Sequence, residues 1–224
     1  LRMIQSVEQA NAVEEICDIG TLILPKTLDS ETSAAVMEIP KYDIGTTVYL
    51  DPQDELKSVN GVAFLTDGDF SKDHQTILMI NGVAVVKEIS PETRGAIICN
   101  GVILVHENMK QNFNIEIMQL NGVKHYIDFN DISVQQNQGR LDADMLEYLE
   151  PKTLLFVGNK LDVAENVTSQ MLKEKELIVY VGNKLRCYPQ SAGYIRAKGF
   201  IGNKLIVRGI DEDDFDQEEW ENKG

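Results

Sequence analysis

Glycine recurs in this chain at positions 20, 45, 61, 82, 101, 122, 139, 158, 182 and 202, a mean interval near 20 residues. A period of that length belongs to chains that stack one small unit on the next, so that neighbouring units share a continuous core. The residues around each glycine repeat as well, in three variants. Cys17-Asp18-Ile19-Gly20-Thr21 answers Tyr42-Asp43-Ile44-Gly45-Thr46. Val59-Asn60-Gly61-Val62, Ile80-Asn81-Gly82-Val83, Cys99-Asn100-Gly101-Val102 and Leu120-Asn121-Gly122-Val123 form the second set. Val157-Gly158-Asn159-Lys160-Leu161, Val181-Gly182-Asn183-Lys184-Leu185 and Ile201-Gly202-Asn203-Lys204-Leu205 form the third, with Gln138-Gly139-Arg140-Leu141 as a degenerate copy before it.

One unit can be read locally. Ile77 to Ile80 and Val83 to Val86 are β-prone runs on either side of Asn81-Gly82. In the third variant Leu161 and Val163, Leu185 and Cys187, and Leu205 and Val207 share one face of a strand, while Asp162, Arg186 and Ile206 point the other way. Helix-start signals separate the strands. Ser90-Pro91-Glu92 and Asp51-Pro52 each put a capping residue before a proline at the first helical position. Residues 142–149, 168–176 and 30–37 are further short helices, two of them closed by Pro151 and Pro40. The unit is therefore strand, Gly/Asn corner, strand, then a short helix or loop.

Two architectures use such a unit. Asn-Gly between β runs is a hairpin signal, and ten linked hairpins would make a meander. In the other architecture the Gly/Asn marks a corner, and equivalent strands of successive coils stack in parallel. The second is favoured, because four-residue hairpin arms are marginal alone. A corner also needs only one or two permissive residues, which Asn-Gly, Gly-Asn and Gly-Thr all supply. The expectation is a mostly β chain with short helices: a parallel β-solenoid over residues 16–209, with ~10 coils of ~20 residues. Leu1, Ile4, Val7, Val13 and Ile16 suggest an amphipathic helix capping the first coil over residues 1–15. Residues 210–224 make an acidic tail. From Asp211 it holds eight acids and one lysine, interrupted by Phe215 and Trp220, which suggest docking onto the last coil or onto a partner.

Leu177 to Leu185, with apolar residues, then Asn183, then Leu185, resembles a leucine-rich repeat, although the asparagine comes one residue late. The short Gly-punctuated coils also resemble the bactofilin type of bacterial β-solenoid, which lacks helical inserts such as those read at 142–149 and 168–176. Both resemblances cover residues 16–209 as pattern alone. They imply a β-repeat fold and carry over no functional residue.

Charge narrows the partners. Acids outnumber bases 36 to 21, for a net charge of −15. That opposes non-specific binding to nucleic acid or to an anionic membrane. No apolar run reaches the ~18 residues of a transmembrane helix. Cys17, Cys99 and Cys187 have no CxxC spacing, so they read as reduced, buried thiols in a cytoplasmic chain, with an exported bacterial surface protein as the alternative. A leader removed before Leu1 is compatible with the sequence.

Motifs of catalysis are absent from the sequence: it holds no phosphate loop, dinucleotide fingerprint, nucleophile elbow or HExxH. Asp67, Asp69, Asp73 and His74 are the most suggestive metal cluster, but they read better as a polar turn without the bidentate glutamate of a calcium loop. His106 and His125 fall at different distances from their glycines and read as packing residues. Asp162 with Arg186 reads as a surface salt bridge, and Lys160, Lys184 and Lys204 as a solubilising ladder. No catalytic, cofactor-binding or metal-binding residue is assigned, and no cofactor or small molecule is expected. The reading is a non-enzymatic scaffold whose repeat surface binds a protein partner or a second copy. The alternative is a carbohydrate-active or carbohydrate-binding β-helix protein.

Overall fold

The computed structural model describes residues 4, 6–51 and 53–211, with Thr46 described by its backbone alone. The chain runs α1 (Val7–Asn11), β1 (Ile16–Pro25), α2 (Ser30–Glu38), β2 (Lys41–Leu50), β3 (Glu55–Phe64), β4 (Thr76–Val86), β5 (Ala96–His106) and β6 (Glu116–Ile127). It continues through β7 (Asp131–Gln135), β8 (Gln138–Leu141), α3 (Ala143–Tyr148), β9 (Thr153–Val157), β10 (Lys160–Val163) and α4 (Ser169–Glu174). It closes with β11 (Ile178–Val181), β12 (Lys184–Cys187), α5 (Pro189–Lys198), β13 (Phe200–Ile201) and β14 (Lys204–Val207). The fold is mostly β. Every strand pairing among the described residues is parallel, in four small open sheets: β1-β2, β3-β4-β5-β6, β7-β9-β11-β13 and β8-β10-β12-β14.

Each Asn-Gly of the second variant lies inside one long strand, not between two antiparallel arms. Gly61, Gly82, Gly101 and Gly122 pair in register across β3 to β6. The hairpin alternative does not form. In the third variant the Gly-Asn corner splits the strand in two, so β9 and β10 belong to different sheets, as do β11 and β12.

The repeats stack in three sets, not in one uninterrupted column, because β2 does not pair with β3, nor β6 with β7 or β8. Each set has its own interior: Ile16, Leu22, Leu24 and Val36 in the first, Leu78, Ile80, Ile97 and Ile103 in the second, Leu155, Leu161, Val179 and Leu185 in the third. The outward residues explain the division. On β4 and β5, Ile77, Ile98, Val83, Val85 and Leu104 point away from their own interior, and a single column would leave them in water. Instead Ile23, Val48 and Leu50 of the first set cover Ile77 and Ile98 before the corner. Leu154, Phe156 and Tyr180 of the third cover Val83, Val85 and Leu104 after it. The middle strands are thus buried on both faces, which is why they read as near-continuous apolar runs.

The turn into the third set follows from this packing. Past Ile127 the chain crosses back: Phe129 lies edge-on to His106 at 5.1 Å, and Lys87 donates to the carbonyl of Asn130. Gly61 in the first strand of the middle set neighbours Gln136, while His125 in the last strand meets Tyr180 and Phe200. The two sets therefore stack side by side in the same direction.

The corners are held by asparagine. Asn81 donates its side-chain amide to Asn60 at 3.0 Å, Asn100 to Asn81 at 2.8 Å and Asn121 to Asn100 at 2.8 Å. A second ladder runs from Asn203 through Asn183 and Asn159 to Asn137, at 3.1, 2.9 and 3.2 Å. Glycine is required beside them for two different reasons. Gly82 has φ +141°, and an added methyl would also collide with the carbonyl oxygen of Gly61. Gly182 is not left-handed, but a methyl there would strike the carbonyl of Gly158. In the first set the positive φ falls on Asp18 (54°) and Asp43 (51°), two residues before the glycines.

Three of the expected short helices form, capped as their sequences suggest by Asp29, Asp142 and Thr168. Ser90-Pro91-Glu92 and the segment after Asp51 are turns instead, closed by Thr93 N–H to Ser90 O and Asp54 N–H to Asp51 O; Pro52 lies outside the described residues. Neither has an apolar face to bury, and a cap without one does not hold a helix. α5 does have one, through Ala192 and Ile195, and the sequence reading missed it. The N-terminal helix spans only Val7–Asn11, with Ala10, Ile4 and Val13 packed on the first interior; Leu1 lies outside the described residues, as do Phe215 and Trp220.

Candidate interaction surface

Strand alternation decides which residues of the β8-β10-β12-β14 sheet meet the interior. Leu141, Leu161, Val163, Leu185, Cys187 and Val207 point inward and are fully buried. The opposite phase presents two columns. One runs Gln138, Lys160, Lys184, Lys204, and the other Arg140, Asp162, Arg186, Ile206, each in strict register. With Arg208 just past β14, the face carries six cations and one carboxylate, in a chain whose net charge is −15.

Asp162 organises the cations around it. Its Oδ1 accepts from Arg186 Nε at 2.8 Å and from Arg208 Nη2 at 3.0 Å, and its Oδ2 lies 3.3 Å from the same Nη2. Arg208 also donates through Nη1 to the Tyr188 hydroxyl at 2.6 Å and lies over that ring, 4.7 Å from its centroid. The salt bridge expected from the sequence is therefore present. It is half-buried and includes a second arginine that the repeat did not reveal, because Arg208 reaches back across two strands. Lys160 was read as a solvated rung, yet it is 6% exposed, and Arg186 is 8% exposed.

Like charges opposite one another on neighbouring strands repel. Lys160, Lys184 and Lys204 stand in one register column, beside an Asp162 shared between two guanidinium groups. Arg208 Nε is buried with no hydrogen-bond partner among the described residues, which leaves a donor facing this same region.

The other residues singled out in the sequence sit elsewhere. Asp67 accepts from Ser90 N–H at 2.8 Å and from the Thr93 hydroxyl, and these hydrogen bonds hold its carboxyl below the usual carboxylate range. Asp69 closes a capping box on Thr66. His74 bridges Ser71 and Glu55, with the Glu55 carboxyl lowered by Lys57 and then by His74. These carboxylates tie turns together, and among the described residues no group of three or more His, Cys, Asp or Glu is placed to hold a metal ion. His106 accepts from Asn108 N–H, and His125 packs on Phe200 and Tyr180. Cys99 and Cys187 are buried free thiols, but Cys17 is free and exposed, contrary to expectation. It precedes the left-handed Asp18, where the strand turns its side chain outward.

No helix among the described residues is long and apolar enough to cross a membrane. Comparison with known proteins finds no matching family model, curated protein or solved structure.

Proposed function

We propose that the chain is a non-enzymatic scaffold of solenoid type, and that it acts by binding an acidic protein segment on the outward face of β8-β10-β12-β14. The observation that carries this reading is the in-register column Lys160–Lys184–Lys204 flanked by Arg140, Arg186 and Arg208. Stacking places a cation on every rung, so a ligand with closely spaced carboxylates meets several at once, and avidity along the column follows. A strongly acidic chain gains nothing in solubility from such a stripe. Its value lies in directional recognition of negative charge.

The test uses the chain ended at Asp211 and a 12-residue polyglutamate peptide. Binding is expected by isothermal titration calorimetry in low salt, weakening steeply as salt is raised. Lys184→Glu should reduce it by at least about fivefold, as expected when a rim cation becomes an anion. No detectable heat, with the fold intact by circular dichroism, would sink the proposal.

A further inference from the structure

We propose that Asn121-Gly122 is a self-modification site, at which the side-chain amide of Asn121 is lost as ammonia and the corner ladder of the middle set is shortened from its open end. The site lies on β6, apart from the face proposed above for binding.

Four Asn-Gly pairs line this corner, at Asn60, Asn81, Asn100 and Asn121. The chemistry open to each is the same. The backbone nitrogen of the glycine attacks Cγ of the asparagine, so that an N–Cγ bond forms and the Cγ–Nδ2 bond breaks. The proton of that backbone nitrogen leaves with Nδ2 as ammonia, and a five-membered succinimide remains. Water then opens the ring. Addition at Cγ restores the ordinary peptide bond and leaves aspartate. Addition at the main-chain carbonyl leaves isoaspartate, with the chain running through the side-chain carbonyl. Glycine suits the attack because it has no Cβ to shield its nitrogen or to restrict its backbone.

The structure separates the four pairs by where the attacking nitrogen points. In a parallel sheet, alternate residues of a strand direct their N–H groups to opposite neighbours. Leu65 N–H donates to Val85 O at 2.8 Å, which sets the phase: Gly61 N–H is directed at β4. Carried across the register pairs, Gly82 N–H is directed at β5 and Gly101 N–H at β6. Each of these three nitrogens faces a paired strand. Gly122 is next in the column, and its N–H faces the outer side of β6, where no described strand pairs.

Two further observations agree. Asn121-Gly122 is the one pair of the four with both members exposed. The ladder also holds Asn121 from one side only. Its Nδ2 donates to Asn100 Oδ1 at 2.8 Å, and no described residue donates to its own Oδ1, whereas Asn81 and Asn100 are held from both sides.

The product changes the ladder. Aspartate at this position has no N–H to give and sets a carboxylate against Asn100 Oδ1, so the last rung opens. Isoaspartate adds a backbone atom ahead of Gly122 and breaks its register with Gly101.

The test keeps the full chain folded in warm, mildly alkaline buffer. Peptide masses after digestion then follow each pair, and isoaspartyl methyltransferase labelling counts isoaspartate. Asn121 should convert at least about tenfold faster than Asn60, Asn81 or Asn100, because an edge strand opens locally at less cost than a paired one. In urea the four should convert within about threefold of one another, since their sequence neighbours are alike and the folded ladder is gone. Asn121→Gln keeps the amide but lengthens the side chain, so the five-membered ring cannot close, and most isoaspartate in the folded chain should disappear. Asn121→Asp, one of the two products, should unfold at a lower urea concentration than the parent. Equal rates at the four pairs in the folded chain, or a faster inner pair, overturn the assignment. So does an Asn121 that stays intact in the folded chain while it converts in urea. An Asn121→Asp midpoint equal to the parent's overturns the shortening of the ladder.

Discussion

Asn100 donates its side-chain amide to Asn81 at 2.8 Å and accepts from Asn121 at the same distance, so one residue closes two rungs of the corner ladder. Asn121 sits at the end of the ladder and closes one. This asymmetry makes a stability prediction. Asn100→Ala removes two hydrogen bonds and should cost about 1–3 kcal/mol, whereas Asn121→Ala should cost roughly half as much. Urea denaturation of the two variants and the parent would check it, and midpoints equal to the parent's would mean that the ladder adds nothing beyond the backbone pairing.

The glycines divide in the same way. Gly101 has φ +144° and sits against the carbonyl of Gly82, so Gly101→Ala faces both a strained backbone and a steric collision. It should lose more than about 2 kcal/mol. Gly20 has nothing within 4 Å of where a methyl would be. Gly20→Ala should stay within about 0.5 kcal/mol of the parent. Thermal melts that rank the two in the opposite order would contradict the corner geometry.

The stacking was legible because the same local chemistry recurs at one phase: Asn60, Asn81, Asn100 and Asn121 align in sequence and in space. The division into three sets was not. A period reports which residues share a face within one coil, and Val83 and Val85 look the same in sequence whether their outward face meets solvent or Phe156. Arg208 escaped for a related reason. Its partner Asp162 is 46 residues away, and only the stacking of parallel strands brings them together. The basic stripe was visible as a lysine at each third-variant corner, but the burial of Lys160 was not.

The thiols should separate cleanly by reactivity. Cys17 is exposed and should react with a thiol reagent at once in the native state. Cys99 and Cys187 should react only on unfolding, since burial pushes the Cys99 thiol up to about 11 and raises that of Cys187. The folded state therefore favours neutral Cys99. Its contribution is present below the ordinary thiol value of 9.0 and is lost as the pH rises from there through about 11. A native count of one fast thiol, rising to three in denaturant, is the expected titration; two or three fast thiols without denaturant would contradict the burial.

Asp162 couples the stability of the cationic face to its binding. Its carboxylate neutralises Arg186 and Arg208, whose side chains are only 10% and 29% exposed. Asp162→Asn keeps the shape and removes the charge that Arg186 and Arg208 both contact. Because the site is partly open to water, the cost should be about 1–3 kcal/mol, less than for a fully buried pair. Added salt should recover part of that loss by screening cation from cation. The same substitution removes the one negative charge of the face, so the chain ended at Asp211 should bind polyglutamate more tightly although it is less stable. Stability and affinity move in opposite directions only if this face binds anions. A purely structural salt bridge would lower both, and calorimetric titration of the folded Asp162→Asn chain distinguishes the two outcomes.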